Sequence, residues 1–234
     1  LEDTLIIPRR FCGPTASGNG GYVCGVVASL IGGSAEVTLR SPPPLDRPID
    51  IERYDDGVQL RIGTRLIAEG KRAIVSLDVP KAPSFDQAMQ ASRSYPWREN
   101  HPYPRCFVCG PTRTPGDGLC IFPGAVEGRD IAAAPFIPDA SCVDAQGQLR
   151  SEIAWASLDC PSWFGFNCFN VVEELVLLGR LSARIDSLPR LGDRCISVGW
   201  SLGRDGRKVN CASALFSEQG VLLALGRATW IAVK

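Results

Sequence analysis

Two stretches of this 234-residue chain join residues that can act on another molecule. In Cys12–Ile31, a glycine-rich loop runs into an apolar segment, Tyr22–Ile31, with no proline and no charge. Read as a helix, that segment must be buried on nearly every side, because it offers water no polar face. Gly18, Gly20 and Gly21 let the backbone approach a partner at the helix start. Unpaired N–H groups and the positive end of the dipole collect there, which suits a carbonyl or phosphate oxygen. The same glycines also suit tight packing alone. The second stretch, Ser151–Phe166, is apolar but holds two acids, Glu152 and Asp159. A carboxylate in an apolar run is costly unless paired, and a functional site is one reason to keep one. The other reading of Asp159 is an aspartate closing a helix ahead of Cys160-Pro161. Glu152, just after Arg150-Ser151, reads as a first-turn partner of the helix dipole.

Cys106-x-x-Cys109 raises zinc, with Cys120 and His101 completing four ligands. The second pair is irregularly spaced and the segment also reads as a plain turn, so no metal and no other cofactor is expected. A thioredoxin-like role lacks its βαβ context. His101 is the sole histidine and sits in the proline-rich Asn100–Pro104. A Ser-His-Asp or Cys-His nucleophile would have to run through it, which disfavours those enzyme classes.

Lysine plus arginine equal aspartate plus glutamate at 25 each, so no net charge draws the chain to nucleic acid or anionic membrane. No apolar run reaches the length of a membrane span, and no signal-peptide h-region is present. The ten cysteines are therefore expected as reduced thiols in the cytoplasm, mostly buried. Strands are expected at Thr4–Ile7, Ala35–Arg40 and Ile49–Tyr54, with a hairpin at Asp55-Asp-Gly57. Val58 to Leu66 alternates as one half-buried strand, Glu69-Gly70 turns the chain, and Arg72–Val79 pairs back. Residues 80–104 hold five prolines around a short helical piece, Phe85–Ser92, and read as a linker lying on the surface. Cys106–Pro111 and Gly116–Gly124 read as a turn-rich strand pair, and strands return at Leu178–Ile185, Arg194–Leu202, Lys208–Ser217 and Val221–Val233.

These two parts overlay. Pro44–Arg47 matches Pro189–Arg194, Asp55-Asp-Gly57 matches Arg204-Asp-Gly206, and Glu69-Gly70 matches Glu218-Gln-Gly220, each set after an apolar helix. The order implies two copies of one α+β unit packed as an internal pseudo-dimer. The units are residues 1–83 and 106–234, joined by the linker 84–105.

With this order in place, Asn19-Gly-Gly-Tyr22 resembles the start of the central helix in the hotdog fold. Cys106–Pro111 with Gly118-Leu119 resembles the entry to a hotdog unit's first strand. Ala154–Pro161 resembles the second central helix, where several such thioesterases carry a catalytic aspartate. The chain resembles the double-hotdog acyl-CoA thioesterase-like family. That resemblance implies two antiparallel sheets, each wrapped around a central helix, and a thioester site between the halves. It implies a carbonyl held by Gly20 and Gly21 with Asn19 nearby, and Asp159 as base or nucleophile. Tyr22, Glu152 and Thr229 are the expected substrate contacts. The implied partner is an acyl-CoA or an acyl-carrier thioester, whose phosphates the arginines 9, 10, 93, 98 and 105 could meet. A homodimer of double hotdogs is an assembly open to it. The chain departs from the family in its last strand, where Leu225–Trp230 has no glutamine and Thr229 is the available stand-in, with Ser182, Ser187 and Ser213 as other hydroxyls. Lacking a helix histidine, it is not expected to be a dehydratase. A non-catalytic protein binding an acyl chain or a partner is the rival reading.

Overall fold

A computed structural model describes residues 3–170, 172 and 174–233. The first half contributes β1 (Thr4–Ile6), α1 (Gly20–Ile31), β2 (Ala35–Leu39), β3 (Pro48–Tyr54), β4 (Gly57–Ile62) and β5 (Arg65–Arg72). After α2 (Phe85–Ser92) come β6 (Gly124–Ala125), β7 (Ala132–Phe136), α3 (Ser151–Asn167), β8 (Leu175–Ile185), β9 (Cys195–Asp205), β10 (Lys208–Ser217) and β11 (Leu222–Val233). These strands form one antiparallel sheet of eleven, in the order β1-β3-β4-β5-β2-β8-β11-β10-β9-β7-β6. Two sheets joined edge to edge were expected. A single sheet forms because β2 and β8 pair across the middle, Ala35 opposite Ala183 and Thr38 opposite Arg180. The strand order on one side of that seam repeats in reverse on the other. No helix among the described residues is long and apolar enough to cross a membrane.

Both long helices lie on one face of this sheet and pack on each other. Gly21 and Gly25 of α1 meet α3 backbone so closely that a Cβ on Gly25 would sit 2.6 Å from Glu152 Cα and 2.7 Å from Trp155 Cβ. Gly21 meets Asp159 and Gly25 meets Glu152, so the helices run antiparallel. Around them Val23, Val27, Ile153, Trp155, Leu158 and Trp163 are buried with the inward side chains of the strands. Burial on all sides explains how α1 tolerates having no polar face. The short α2 is capped by a reciprocal Ser84–Gln87 pair and covers the opposite sheet face, with Phe85, Ala88 and Ala91 against Val198, Ala212 and Ala214.

Several local expectations are corrected. Glu69-Gly70 lies inside β5, and the turn falls at Gly63-Thr64, where Gly63 has φ +55°. Alternation runs straight through this tight turn, so the pattern alone hides it. Gly70 is instead a packing glycine, since a Cβ there would be 2.6 Å from Val27 and 2.8 Å from Ile31 of α1. Residues 73–84 form no strand, and Cys106–Pro123 is mostly turns, its two segments tied by the Leu119 and Ile121 N–H groups donating to the Phe107 and Val108 carbonyls rather than by a regular strand pair. The proline-rich stretch is no bare surface linker: Tyr95 and His101 are buried, and Trp97 stacks edge-on to Phe164.

Candidate active site

Chain geometry brings Asn19, Gly21 and Asp159 together from opposite ends of the sequence. Asn19 is the N-cap of α1, its Oδ1 accepting the Tyr22 N–H at 2.9 Å. Its Nδ2 donates to Asp159 Oδ2 at 2.7 Å, and the Gly21 N–H donates to the same oxygen at 2.9 Å. A Cβ on Gly21 would collide with Asp159 Cβ, so the glycine is what lets the carboxylate reach the helix start. Donors expected for a substrate carbonyl are therefore partly spent on Asp159. The carboxylate takes Gly21 and leaves the Gly20 N–H untouched.

Asp159 sits in the middle of α3, not at its end. The helix continues through Pro161, which lacks an N–H for the Ser157 carbonyl. Sheet hydroxyls cover this break: Ser197 donates to the Ser157 carbonyl at 3.0 Å and Ser213 to the Leu158 carbonyl at 2.6 Å. Ser213 thus supports the helix backbone, and Ser182 bonds Glu36 across the sheet seam. Asp159 is 2% exposed, and its Oδ1 is buried with no hydrogen-bond partner. Burial pushes its carboxyl up to about 7, the Cys106 sulfur adds to this, and the Gly21 and Asn19 donors oppose it.

The carboxylate lies in the wall of an apolar cavity of about 240 Å³. Asn19 and Gly20 line it from α1, Leu39 from β2, Leu178 from β8, Trp163 from α3 and Trp230 from β11. Proline-rich residues Trp97, His101 and Tyr103 complete it. Their aromatic density inside the segment was the available signal for a buried role. The other expected contacts stand elsewhere. Tyr22 is stacked on Phe11, ring centres 3.9 Å apart, away from the cavity. Glu152 is seven residues before Asp159, two turns toward the start of α3, and pairs with Arg150 at 3.6 Å. Thr229 donates to Asn210 Oδ1 at 3.1 Å and borders a polar groove, while its neighbour Trp230 takes the cavity side. Strand alternation forces that split.

Beside Asp159, three thiols converge: Cys106, Cys109 and Cys160 have their sulfurs within 4.8 Å of one another. Thiol donation from Cys109 and Cys160 pulls the Cys106 thiol down, and burial pushes theirs up. Cys120 is not among them; it faces the Arg113 carbonyl.

No protein-family model matches this sequence, and no curated protein does. Solved structures do. The tesB protein of Mycobacterium avium subs paratuberculosis superposes with TM-score 0.62 over 99% of this chain and 92% of its own, at 14% identity. A Novosphingobium aromaticivorans protein assigned as a thioesterase gives 0.63 over 99% and 95%, at 12% identity. A Thermobifida fusca protein assigned as a thioesterase II gives 0.62 over 98% and 92%, at 14% identity. The chain has the TesB-like double-hotdog fold. At such identities the likeness carries the double hotdog's shape and leaves its chemistry to the residues described above.

Proposed function

We propose that this double hotdog hydrolyses an acyl thioester, with Asp159 as the group that drives the attack. Its two halves, 1–83 and 106–234, act as an internal pseudo-dimer joined by 84–105, and the substrate lies between them. One observation carries the reading: Asp159, a residue lining an apolar cavity, has one carboxylate oxygen held by Asn19 and Gly21 and the other buried with no hydrogen-bond partner. A carboxylate fixed through one oxygen keeps the second free to take a proton. In the proposed step, water adds its oxygen to the thioester carbonyl carbon as Asp159 accepts a water proton. The C–S bond then breaks, and the proton passes to the departing sulfur, giving a carboxylic acid and a thiol. The N–H of Gly20, a residue that lines the cavity, polarises the carbonyl. Asn19 and Gly21 position the carboxylate. The apolar wall takes the acyl chain, and the carrier is coenzyme A or an acyl-carrier thiol.

A second reading is a non-catalytic acyl-binding protein. It draws on β11, whose Thr229 points away from the cavity and whose inward neighbour is Trp230, so the last strand offers the site no hydroxyl. Thiol release from short, long and aromatic acyl-CoAs separates the two. Turnover by the wild type that is lost in Asp159→Asn supports the hydrolase. Acyl-CoA binding without turnover in both proteins supports the binding protein.

A further inference from the structure

We propose that Cys106, Cys109 and Cys160 bind one zinc ion beside the carboxylate, with the fourth ligand position open to the cavity. The three cysteines share a cavity with Asp159, but their binding of zinc does not depend on the proposed hydrolysis. All three cysteines are buried and are among the residues that line the cavity, and their sulfurs lie within 4.8 Å of one another. Cys106 and Cys160 are 3.7 Å apart, sulfur to sulfur. Thiolates bound at a Zn–S distance of about 2.3 Å in a tetrahedron stand about 3.8 Å apart, so this edge is already the right length. The other seven cysteines form no such group among the described residues.

The surroundings are built for anionic sulfur. Cys106 and Cys109 sit on a tight turn, closed by the Gly110 N–H donating to the Cys106 carbonyl at 2.9 Å. Gly110 cannot be replaced without rebuilding that turn, because its Cβ would lie 2.6 Å from the Cys106 N and O atoms. His101 Nδ1 accepts the Tyr103 N–H at 2.8 Å, which leaves the proton of the neutral ring on Nε2. That nitrogen faces Cys109 Sγ at 3.3 Å, so the histidine donates to a thiolate and supports it as an outer partner. Asn19 Nδ2 lies 3.8 Å from Cys106 Sγ and also bonds Asp159, linking the sulfur cluster to the carboxylate. Three sulfur ligands with a cavity on the fourth side describe an open zinc site rather than a closed structural one.

Metal analysis of tag-free, reduced protein tests this. The expected result is about one zinc per chain, falling to under about a tenth in Cys160→Ser and Cys106→Ser and unchanged in Cys120→Ser. Cobalt substituted for zinc should give sulfur-to-metal charge-transfer absorption, a readout of thiolate ligation that needs no activity. If the serine variants fail to fold, the wild-type stoichiometry and cobalt spectrum still decide. Wild-type protein that carries no zinc and takes up none after reduction overturns the proposal. So does a Cys106–Cys160 disulfide in protein purified without reductant, or zinc lost through Cys120 rather than Cys160.

Discussion

The two central helices do opposite jobs. α1 gives up side chains: Gly20, Gly21 and Gly25 bare its backbone, no charge lies along it, and what it offers Asp159 is an N–H and a capping amide. α3 does the reverse. Its buried face carries large side chains, and Asp159 and Cys160 project from its middle. Because the helices run antiparallel, the start of α3 lies toward the end of α1, where a mirrored site would need an acid on α1. There is none in Tyr22–Ile31. Instead Arg150 and Glu152 pair with each other, and Arg150 gives α3 no side-chain cap. A repeated architecture thus holds one carboxylate site rather than two, and the asymmetry is written in which helix kept its side chains.

Breaking the α3 side should have the largest effect. Asp159→Asn keeps shape and hydrogen-bonding reach but cannot take a proton, and general-base loss costs about 10²–10⁴-fold in turnover. Acyl-CoA affinity by calorimetry should stay within about threefold, because binding rests on the apolar wall. Glu152→Gln on the same helix should leave thiol release within about twofold, since surface-type ion pairs contribute little. Equal losses in both variants would end the claim that only one end of the helix pair is chemical.

Next in size is the close approach from α1. Gly21→Ala forces a methyl against Asp159 Cβ and the Trp155 carbonyl, on two rigid helices that cannot both relax. Overpacking of this kind costs about 1–3 kcal/mol. A melting temperature lowered by several degrees, with thiol release falling as Asp159 is pushed off the helix start, is the expected outcome. A variant as stable and active as wild type would mean the two helices are not held as tightly as the glycines imply.

How far the chain could be read depended on whether the signal was local. The α2 segment was marked by the prolines that bracket Phe85–Ser92, and β10 by the turn signals at its two ends. Asp159 stood out because a charge in an apolar run needs a reason. Asn19 and Gly21 stood out too, as donors for a substrate carbonyl, but that they bond Asp159 is a property of helix packing that no spacing displays. The turn at Gly63 was masked by alternation that continues on both sides of it. Cys160 was hidden in another way: two cysteines announce themselves as C-x-x-C, but the third arrives on α3, 54 residues after Cys106. Thr229 was misplaced by one residue of strand parity, which is enough to put a side chain on the wrong face.

A finer cut falls on Asn19, which serves both its own helix and Asp159. Asn19→Ala removes the cap and one donor, and the lost cap alone costs about 0.5–2 kcal/mol. Asn19→Ser restores an N-cap acceptor without an amide to hold the carboxylate. Melting temperature should recover most of the way in the serine variant while thiol release does not. Recovery of both would reduce Asn19 to a cap and leave Gly21 as the donor that matters.

The smallest effect is expected at Thr229, and it tests whether the two helices suffice. Its hydroxyl bonds Asn210 on the polar side of β11, and the residue next to it, Trp230, faces the cavity and donates its ring N–H to Ser162 of α3 at 2.9 Å. Thr229→Val keeps the shape and β-branching that suit a strand, so stability should shift by no more than about 0.5 kcal/mol. Thiol release should stay within about twofold across the acyl-CoA panel, because a face-flipped side chain reaches the substrate only if the strand slips register. A tenfold loss would mean the sheet supplies a working hydroxyl after all, and the chemistry would then belong to the helix pair and β11 together.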